Sequence, residues 1–173
     1  MRRVLCVIDY QVDFVTGSMG SPAADSIADA LRSRIREYKA RGDTVIFTRD
    51  SHVPEDYGRS CEGRHIPVSH CVIGTPGHEL DARIRPLSEG CTVIDKTGFG
   101  SFDLAEVLRG LSPDEIELAG VATNICVLSN AVMARTACPD ARVFVDRSCV
   151  ATYDDRLGEK ALDVMRSICV DVL

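Results

Sequence analysis

The fold follows most directly from residues 116–126, which read Ile116-Glu117-Leu118-Ala119-Gly120-Val121-Ala122-Thr123-Asn124-Ile125-Cys126. The run 116–121 is short and mostly apolar, as expected of a buried strand. A helix is then predicted from about Asn124 to Arg135. Its apolar face is predicted to carry Ile125, Leu128 and Val132. A strand therefore leads into a helix, and Cys126 lies at the junction.

The same alternation of strand and helix recurs along the whole chain. Buried strands are predicted at Val4–Asp9, Thr44–Thr48, Thr92–Asp95, Ile116–Val121, Arg142–Val145 and Cys169–Leu173. Further helices are predicted from Pro22 to Gly42 behind the N-cap Ser21, from the capping-box pattern Asp103-x-x-Glu106, and from Asp154 to Ser167. Strands separated by helices indicate a parallel sheet covered on both faces. We therefore predict an α/β fold, a three-layer αβα, doubly wound, mainly parallel six-stranded sheet, with residues 1–173 as a single domain.

Bulk composition is that of an ordinary globular protein and argues against two classes of partner. Of the 173 residues, 45% are hydrophobic and 27% charged, and the formal net charge is −6. Nucleic acids and anionic membranes are bound through basic surfaces, so we expect neither as a partner. The apolar run after Arg2-Arg3 is too short for a signal peptide and stops at Asp9. No stretch approaches the ~20 apolar residues of a membrane span, and we expect a cytoplasmic protein.

The eight cysteines are widely spaced and include no Cys-x-x-Cys pair. Several stand in apolar runs, such as Leu5-Cys6-Val7, where cysteine acts as a small hydrophobic residue. Most are therefore predicted to fill the core. Cys126 needs a separate explanation, because it follows a strand end directly.

Three strand ends of the predicted sheet carry reactive side chains, namely Asp9, Lys96 and Cys126. The carboxyl ends of parallel strands share one edge, where open α/β sheets hold their active sites. A thiol in the first turn of a helix has its pKa lowered by the helix dipole and by unpaired N–H groups, which also stabilise an oxyanion. Asp9 would accept the thiol proton, and Lys96 would stabilise the resulting ion pair. From spacing alone, a buried Cys126 that merely faces the sheet is an equal alternative.

A second set of reactive side chains surrounds the long segment 50–80, which is rich in His, Gly and Pro. Loops of this length in a compact domain are usually functional. Asp50 and His52 can face the same side of an extended segment, and His70 adds a second imidazole. Three such ligands with an open position are typical of a catalytic metal site. The alternative is that the two histidines only hydrogen-bond the loop.

Other residues near this segment are assigned different roles. His65 and His78 lack ligand-type partners and are predicted to be surface or loop histidines. Cys71 follows His70 directly and is predicted to be structural, since adjacent residues of an extended chain point in opposite directions. Residues 96–102 read Lys96-Thr97-Gly98-Phe99-Gly100-Ser101-Phe102, in which the glycines and aromatics suit the wall of a pocket for a flat ring.

Together these residues resemble the isochorismatase-like cysteine hydrolases, and among them the nicotinamidase/pyrazinamidase branch. The similarity extends over nearly the whole chain and is carried by five motifs in the family's order. They are Val7-Ile8-Asp9-Tyr10-Gln11-Val12-Asp13-Phe14, Thr48-Arg49-Asp50-Ser51-His52, His70-Cys71-Val72-Ile73-Gly74-Thr75-Pro76-Gly77, Lys96-Thr97-Gly98-Phe99-Gly100-Ser101-Phe102 and Gly120-Val121-Ala122-Thr123-Asn124-Ile125-Cys126-Val127. The resemblance implies a metal-assisted cysteine amidohydrolase.

Carried over to this sequence, the resemblance implies roles for individual residues. The catalytic triad and the metal ligands would be Asp9, Lys96 and Cys126, and Asp50, His52 and His70. The metal would be zinc, with iron and manganese as alternatives, and it would orient the substrate. A cis peptide bond between Val121 and Ala122 is also implied, with the N–H groups of Ala122 and Cys126 as the oxyanion hole. The substrate pocket is assigned to Phe14, Phe99, Phe102 and Val121.

One departure from the family bears on the substrate. Nicotinamidases usually carry Trp-Pro shortly before the metal-binding His-Cys, whereas this chain has no Trp and reads Ile66-Pro67-Val68-Ser69-His70. The predicted reaction is hydrolysis of nicotinamide to nicotinate and ammonia through a Cys126 thioester. Another small amide, or a ureido or carbamoyl compound, is the alternative within the family. A phosphoacceptor signalling domain and a catalytically silent interaction module are the alternatives from other classes, and a homodimer or homotetramer is expected.

Overall fold

The computed structural model describes all 173 residues and contains one six-stranded sheet. The strands are β1 (Arg3–Ile8), β2 (Thr44–Asp50), β3 (Thr92–Lys96), β4 (Glu115–Val121), β5 (Arg142–Ala151) and β6 (Val170–Val172). Every neighbouring pair is parallel, and the order across the sheet is β3-β2-β1-β4-β5-β6. The predicted six-stranded parallel sheet is confirmed.

Helices fill the connections between the strands. They are α1 (Val12–Val15), α2 (Pro22–Ser26), α3 (Ala28–Arg41), α4 (Pro54–Tyr57), α5 (Cys61–His65), α6 (Phe102–Leu111), α7 (Leu128–Ala137) and α8 (Asp155–Ser167). A π-helical turn, Thr123–Val127, directly precedes α7. None of these helices combines the length and the apolar character needed to cross a lipid bilayer.

Two predicted helix starts differ from the structure in detail. Ser21 caps α2 as predicted, because its side chain accepts a hydrogen bond from the Ala24 N–H. The predicted single helix is nevertheless two, since α2 ends at Ser26 and α3 begins at Ala28. At α6 the cap is Ser101 instead of Asp103, which lies inside the first turn. The capping-box prediction is wrong there because Ser101 already satisfies the Leu104 N–H.

Side chains of β1 alternate between two hydrophobic cores, one on each face of the sheet. Val7 belongs to the same core as Leu31 of α3. Ile8 belongs to the opposite core, together with Leu104 of α6 and Leu162 of α8. Helices therefore cover both faces, and the predicted three-layer αβα arrangement is confirmed.

Helix α7 turns a different face to the sheet from the one predicted. Ala131 and Ala134 are fully buried, whereas Val132 is 44% exposed. Ile125 and Leu128 are only partly buried at the margin of the core. Small side chains let a helix approach a sheet closely. The alanines of α7 therefore face the sheet, although the spacing of its larger apolar residues predicted another face.

The carboxyl ends of four strands form the edge at which reactive groups were expected. Asp9 directly follows β1, and Asp50 and Lys96 are the last residues of β2 and β3. Val121 ends β4 and leads into the π-helical turn. From β1 the strand order continues through β2 to β3 on one side, and β4, β5 and β6 follow on the other side. The order therefore reverses between β1 and β4, where such folds leave a crevice at the carboxyl ends of the strands.

Strand β5 continues well past its predicted end at Val145. Its pairing with β4 shifts register after Val145 and resumes at Val150. Ala151 thereby comes level with Val121, so the end of β5 also reaches this edge of the sheet.

Candidate active site

Three side chains from separate strand ends meet at one point. The ammonium nitrogen of Lys96 lies 2.7 Å from Asp9 Oδ2 and 3.5 Å from Cys126 Sγ. All three residues are buried. Lys96 Nζ also donates a hydrogen bond of 2.9 Å to the Gly98 carbonyl oxygen. The ammonium group is therefore held between a carboxylate and a thiol.

The two oxygens of the Asp9 carboxylate have different partners. Thr48 Oγ1 donates a hydrogen bond of 2.6 Å to Oδ1. Oδ2 makes an ion-pair contact with Lys96 but has no aligned hydrogen-bond donor, although it is completely buried. Burial raises the pKa of the Asp9 carboxyl group, and Lys96 acts in the opposite direction. Asp9 is therefore a stronger base than an exposed carboxylate.

The Cys126 thiol differs from its prediction in position and in acidity. It lies in the π-helical turn and not in the first turn of an α-helix. Burial, followed by the nearby Asp9 carboxylate, raises the pKa of the thiol well above its ordinary value of 9.0, while Lys96 acts to lower it. The predicted lowering of the thiol pKa is wrong, because desolvation outweighs the helix end at a buried site. The resting thiol keeps its proton next to a strengthened base.

The chain turns sharply between β4 and the π-helical turn. The peptide bond between Val121 and Ala122 is cis, as the resemblance implied. Gly120 has a φ of +112°, and a Cβ atom there would lie 2.1 Å from the Ile8 carbonyl oxygen. Only glycine fits at this close approach of β4 to β1. Ala122 and Cys126 both line the cavity next to the triad.

Four side chains converge beside the triad into a cluster of metal-ligand type, namely Asp50, His52, Glu62 and His70. Their ligand atoms all lie within 4.8 Å of one another. The Nε2 atoms of His52 and His70 lie 3.7 and 3.5 Å from Glu62 Oε1, and His70 Nε2 lies 3.4 Å from Asp50 Oδ2. His52 Nε2 lies 2.9 Å from Asp50 Oδ2. Ligand atoms at about 2.0–2.2 Å from zinc lie about 3–3.6 Å apart, depending on how many there are, and imidazoles and carboxylates are common zinc ligands. The spacing and the chemistry of the four residues therefore fit a zinc ion.

Glu62 is a candidate ligand that the sequence did not indicate. It lies in the short helix α5, with its side chain 13% exposed. In the sequence, Glu62 differs in no way from Glu55 and Asp56, which are also carboxylates in the histidine-rich segment 50–80. Both of those are exposed, so only the fold shows which carboxylate turns inward.

Neighbouring groups orient the ligands. His70 Nδ1 lies 2.8 Å from the Val68 carbonyl oxygen, and donation there leaves Nε2 free for a metal. Gln11, which sequence analysis also missed, accepts a hydrogen bond from Asp50 N and donates one to the Asp50 carbonyl oxygen, at 2.7 and 2.9 Å. Burial lowers the pKa of His70, but hydrogen bonds to Asp50 and Glu62 raise it to about 10. The two carboxylates create a negative environment suited to a divalent cation.

Cys126 of the triad and Asp50, Glu62 and His70 of the ligand cluster line one mainly apolar cavity, whose empty space including the open mouth is about 530 Å³. A concave, mainly apolar site with a few polar groups is typical of small-molecule binding. Phe14, Phe99 and Val121 line it, as predicted for the pocket. Phe102 does not, because it begins α6 with its side chain turned to solvent and is 86% exposed. Sequence analysis did not indicate the lining residues Ile66, Ile125, Thr152 and Tyr153, which come from distant parts of the chain.

The remaining predictions for segment 50–80 have mixed outcomes. His65 is exposed, as predicted. Cys71 is fully buried, and its backbone N–H donates a hydrogen bond of 2.7 Å to Asp13 Oδ2, which agrees with a structural role. His78 lies in a turn of the loop, which agrees with the prediction of a surface or loop histidine, but it is buried, with Nε2 2.8 Å from Ser51 Oγ. Its burial was not predicted and arises because the turn at Pro76–His78 packs against Ser51, which directly follows β2.

Known proteins are similar to this chain over nearly its whole length. The family described as "Isochorismatase domain" matches residues 3–173. The chain belongs to the isochorismatase domain family. Membership rules out the phosphoacceptor signalling domain that was one of the alternatives from sequence.

Three relatives illustrate the similarity of this isochorismatase-domain protein to named enzymes. The nicotinamidase/pyrazinamidase of Mycobacterium tuberculosis is 30% identical over 188 residues, covering 99% of this chain and 98% of its own. Pyrazinamidase of Pyrococcus horikoshii, solved in complex with zinc, has a TM-score of 0.88 at 31% identity, with 100% and 99% of the two chains covered. N-carbamoylsarcosine amidase from Thermoplasma acidophilum has a TM-score of 0.83 at 28% identity, with 99% and 95% covered.

Proposed function

We propose that this chain is a metal-assisted cysteine amidohydrolase that converts nicotinamide and water to nicotinate and ammonia. The observation that carries the proposal is the buried triad, in which the Lys96 ammonium group lies 2.7 Å from Asp9 Oδ2 and 3.5 Å from Cys126 Sγ. Buried charged groups are costly, and a carboxylate, an ammonium group and a thiol placed together are typical of an active site. Full-length similarity to nicotinamidases supports a carboxamide as the bond that is broken.

Attack begins with a proton transfer inside the triad. Asp9 Oδ2 accepts the proton of the Cys126 thiol, and Lys96 stabilises the negative charge first on the carboxylate and then on the sulfur. The sulfur forms a bond to the carboxamide carbon while an electron pair moves to the carbonyl oxygen. The backbone N–H groups of Ala122 and Cys126 are the proposed donors to this oxyanion.

Collapse of the tetrahedral intermediate breaks the carbon–nitrogen bond. Protonated Asp9 gives its proton to the leaving nitrogen, ammonia departs, and the acyl group stays on Cys126 as a thioester. Asp9 then takes a proton from water as the water oxygen adds to the thioester carbon. Expulsion of the sulfur releases the carboxylic acid product and returns the thiol, so one water is consumed for each amide.

The ligand cluster would place the substrate near the nucleophile. Asp50, His52, Glu62 and His70 would hold the metal, which when bound supplies a Lewis-acid anchor for the substrate's ring nitrogen. Asp50 belongs to both groups of residues, with Oδ2 2.9 Å from His52 Nε2 and Oδ1 3.4 Å from Lys96 Nζ. A ring held at the cluster is therefore oriented toward the triad.

The charge of the cavity favours a neutral substrate. Of the 16 lining residues, 11 are hydrophobic and none is Lys or Arg, while Asp50 and Glu62 contribute negative charge. With the metal engaged by the ring nitrogen and Lys96 by Asp9, an amide that also carries a carboxylate would find no Lys or Arg in the lining to pair with it. This weighs against carbamoyl amino acids, such as the compound named for the Thermoplasma relative. Ile66 lines the cavity in the segment where nicotinamidases usually carry Trp, so the ring would pack there on an aliphatic side chain.

We further propose that residues 1–173 form one catalytic domain, since the ends of β1 to β5 all contribute to the same site. A homodimer or homotetramer stays a prediction, as do a cytoplasmic location and the lack of nucleic acid and membrane partners.

Ammonia release from nicotinamide by the purified, zinc-loaded protein tests the proposal, with Cys126→Ala as the control. We expect release by the parent and a loss of about 10⁴-fold or more in the variant, because the nucleophile is removed. N-carbamoylsarcosine serves as the carboxylate-bearing comparison. Retained activity in Cys126→Ala would overturn the mechanism. A preference for N-carbamoylsarcosine would overturn the substrate and leave the nucleophile intact.

A further inference from the structure

Asn130 joins the two segments that carry Lys96 and Cys126. It lies on α7, one turn beyond Cys126, and is 1% exposed. Its Oδ1 accepts a hydrogen bond of 3.0 Å from Ser101 N. Its Nδ2 donates to the carbonyl oxygens of Phe99 at 3.0 Å and of Cys126 at 2.8 Å. Both donor hydrogens of the amide are therefore used, and its oxygen is bonded as well.

The segment 97–101 depends on Asn130 for its attachment to α7. This segment contains neither helix nor strand, so its position must be set by contacts. The two bonds from Asn130 are the only hydrogen bonds between it and residues 123–137. A Cβ atom on Gly100 would lie 2.6 Å from Met133 Sδ, which shows how closely the segment approaches the helix.

The same segment sets two parts of the candidate active site. The Gly98 carbonyl oxygen accepts a hydrogen bond from Lys96 Nζ, and that ammonium group lies 3.5 Å from Cys126 Sγ. Phe99 lines the cavity. A shift of the segment relative to α7 would therefore move the ammonium group and the cavity wall away from the nucleophile together.

We propose that Asn130 is a positioning residue that holds Lys96 and Phe99 in place against Cys126. Asn130 contacts none of the reacting atoms and acts through the backbone of segment 97–101. A misplacement of about 1 Å at reacting groups costs on the order of 100-fold in rate. The inference rests on the proposed function in one respect, that Cys126 is the nucleophile.

Two substitutions and a matched control test this role. Asn130→Leu is similar in size and removes all three hydrogen bonds. Asn130→Asp keeps the acceptor for Ser101 N and removes both donors. Ala134→Gly is the control, because it lies one turn further along α7, is fully buried in the core and makes no hydrogen bond to segment 97–101.

The readouts are kcat on nicotinamide and the rate at which iodoacetamide alkylates each cysteine, followed peptide by peptide by mass spectrometry at fixed pH. Cys61 and Cys169 are exposed and give an internal reference, and fully buried Cys6 reports unfolding. A purely structural residue would change thermal stability and Cys6 labelling. A positioning residue changes the reactivity of Cys126 while Cys6 stays protected.

We expect kcat to fall about 10- to 100-fold in both Asn130 variants, and Cys126 alkylation to fall about tenfold relative to Cys61 and Cys169. Ala134→Gly should change neither by more than about twofold, although it lowers the melting temperature. Cys126 alkylation that matches the parent, that increases, or that changes together with Cys6 would overturn the proposal. Alkylation needs no substrate, so failure of the parent to hydrolyse nicotinamide would count against the proposed function and not against this role.

Discussion

Two buried charge clusters lie on this sheet, and only one of them includes a thiol. At the carboxyl edge, Asp9 is fully buried, and its Oδ2 atom lies 2.7 Å from the ammonium group of Lys96, which also lies 3.5 Å from Cys126 Sγ. In the middle of β4, Glu117 is equally buried, but both of its oxygens accept hydrogen bonds, from Arg34 Nη1 at 2.6 Å and from the Tyr38 hydroxyl at 2.8 Å. Arg34 also donates to Asp146 at 2.7 Å.

The difference separates charge that supports the fold from charge that supports chemistry. The Glu117 cluster ties α3 to β4 and to the register shift of β5. Asp9 instead pairs with an ammonium group that also contacts a protonated thiol. Burial alone is therefore a weaker guide to function than a nucleophile placed beside the buried charge.

Matched amide substitutions in the two clusters should give the largest contrast. Asp9→Asn cannot accept the thiol proton, so kcat should fall by about 10²- to 10⁴-fold. Glu117→Gln should leave kcat within about threefold of the parent, because the residue is remote from the reacting groups. Initial rates of ammonia release, on protein checked for folding by circular dichroism, measure both. An active Asp9→Asn enzyme would remove the distinction between the clusters.

The second contrast concerns stability. Arg34→Ala would leave Glu117 charged, buried and without its cation, so the free energy of unfolding should fall by about 3–5 kcal/mol. The control is Arg32→Ala on the same helix, whose partner Asp29 is 87% exposed, and it should change stability by about 1 kcal/mol or less. Urea unfolding measures both variants. Equal losses would mean that the Glu117 cluster contributes no more than a surface ion pair.

The third contrast tests whether the candidate metal cluster has three ligands or four. Glu62→Gln should weaken zinc binding by at least about tenfold, because it removes a charged ligand. Glu55→Gln, an exposed carboxylate in the preceding helix, should bind zinc as the parent does. Competition with a chromophoric chelator measures both affinities. An unchanged Glu62→Gln affinity would restore the three-ligand site predicted from the sequence.

The smallest expected effect is a dependence of stability on pH. Burial raises the pKa of Glu117 above its ordinary value of 4.5, against the opposing effects of Arg34 and Tyr38. The folded state then binds this proton more tightly than the unfolded chain does. Its contribution to stability is complete below the unfolded pKa and is lost as pH rises through the folded pKa.

Urea unfolding of the parent and of Glu117→Gln at several pH values from about 4 to 7 should show this loss. The parent should become less stable relative to the variant as pH rises, by about 1 kcal/mol or less. Parallel curves for the two proteins would contradict the shift, and a change in the opposite direction would mean that pairing with Arg34 outweighs burial.

Prediction from the sequence was most successful where a pattern is local. Apolar runs marked β1, β2 and β4 most clearly, because a strand buried on both faces must be apolar along its length. Shorter runs marked β3, β5 and β6, of which β3 and β6 are the more exposed edge strands. Strand direction then placed Asp9, Lys96 and Cys126 at one edge without any knowledge of their distances. Predictions failed where packing decides. Ala131 and Ala134 line the buried face of α7, although the larger apolar residues of this helix had been predicted to face the core.

The burial of a reactive group and the course of a loop could not be predicted from the sequence either. The thiol pKa of Cys126 was predicted from the helix end alone, since burial at a junction cannot be inferred from spacing. Glu62 lies in a five-residue helix and Phe102 is the first residue of α6, and irregular segments adjoin both. A periodic pattern this short does not predict where a side chain points. One turned toward the ligand cluster and the other toward solvent.

The sequence by itself determined the parallel sheet, the edge that carries the reactive groups, and the residue types available there. These follow from periodicity and from chain direction, both of which are properties of neighbouring residues. Only the tertiary structure decided that the Cys126 thiol is buried and keeps its proton, that Glu62 joins the ligand cluster, and that Asn130 binds segment 97–101 to α7. Each of these depends on contacts between residues far apart in the chain, whose geometry exists only once the core has packed.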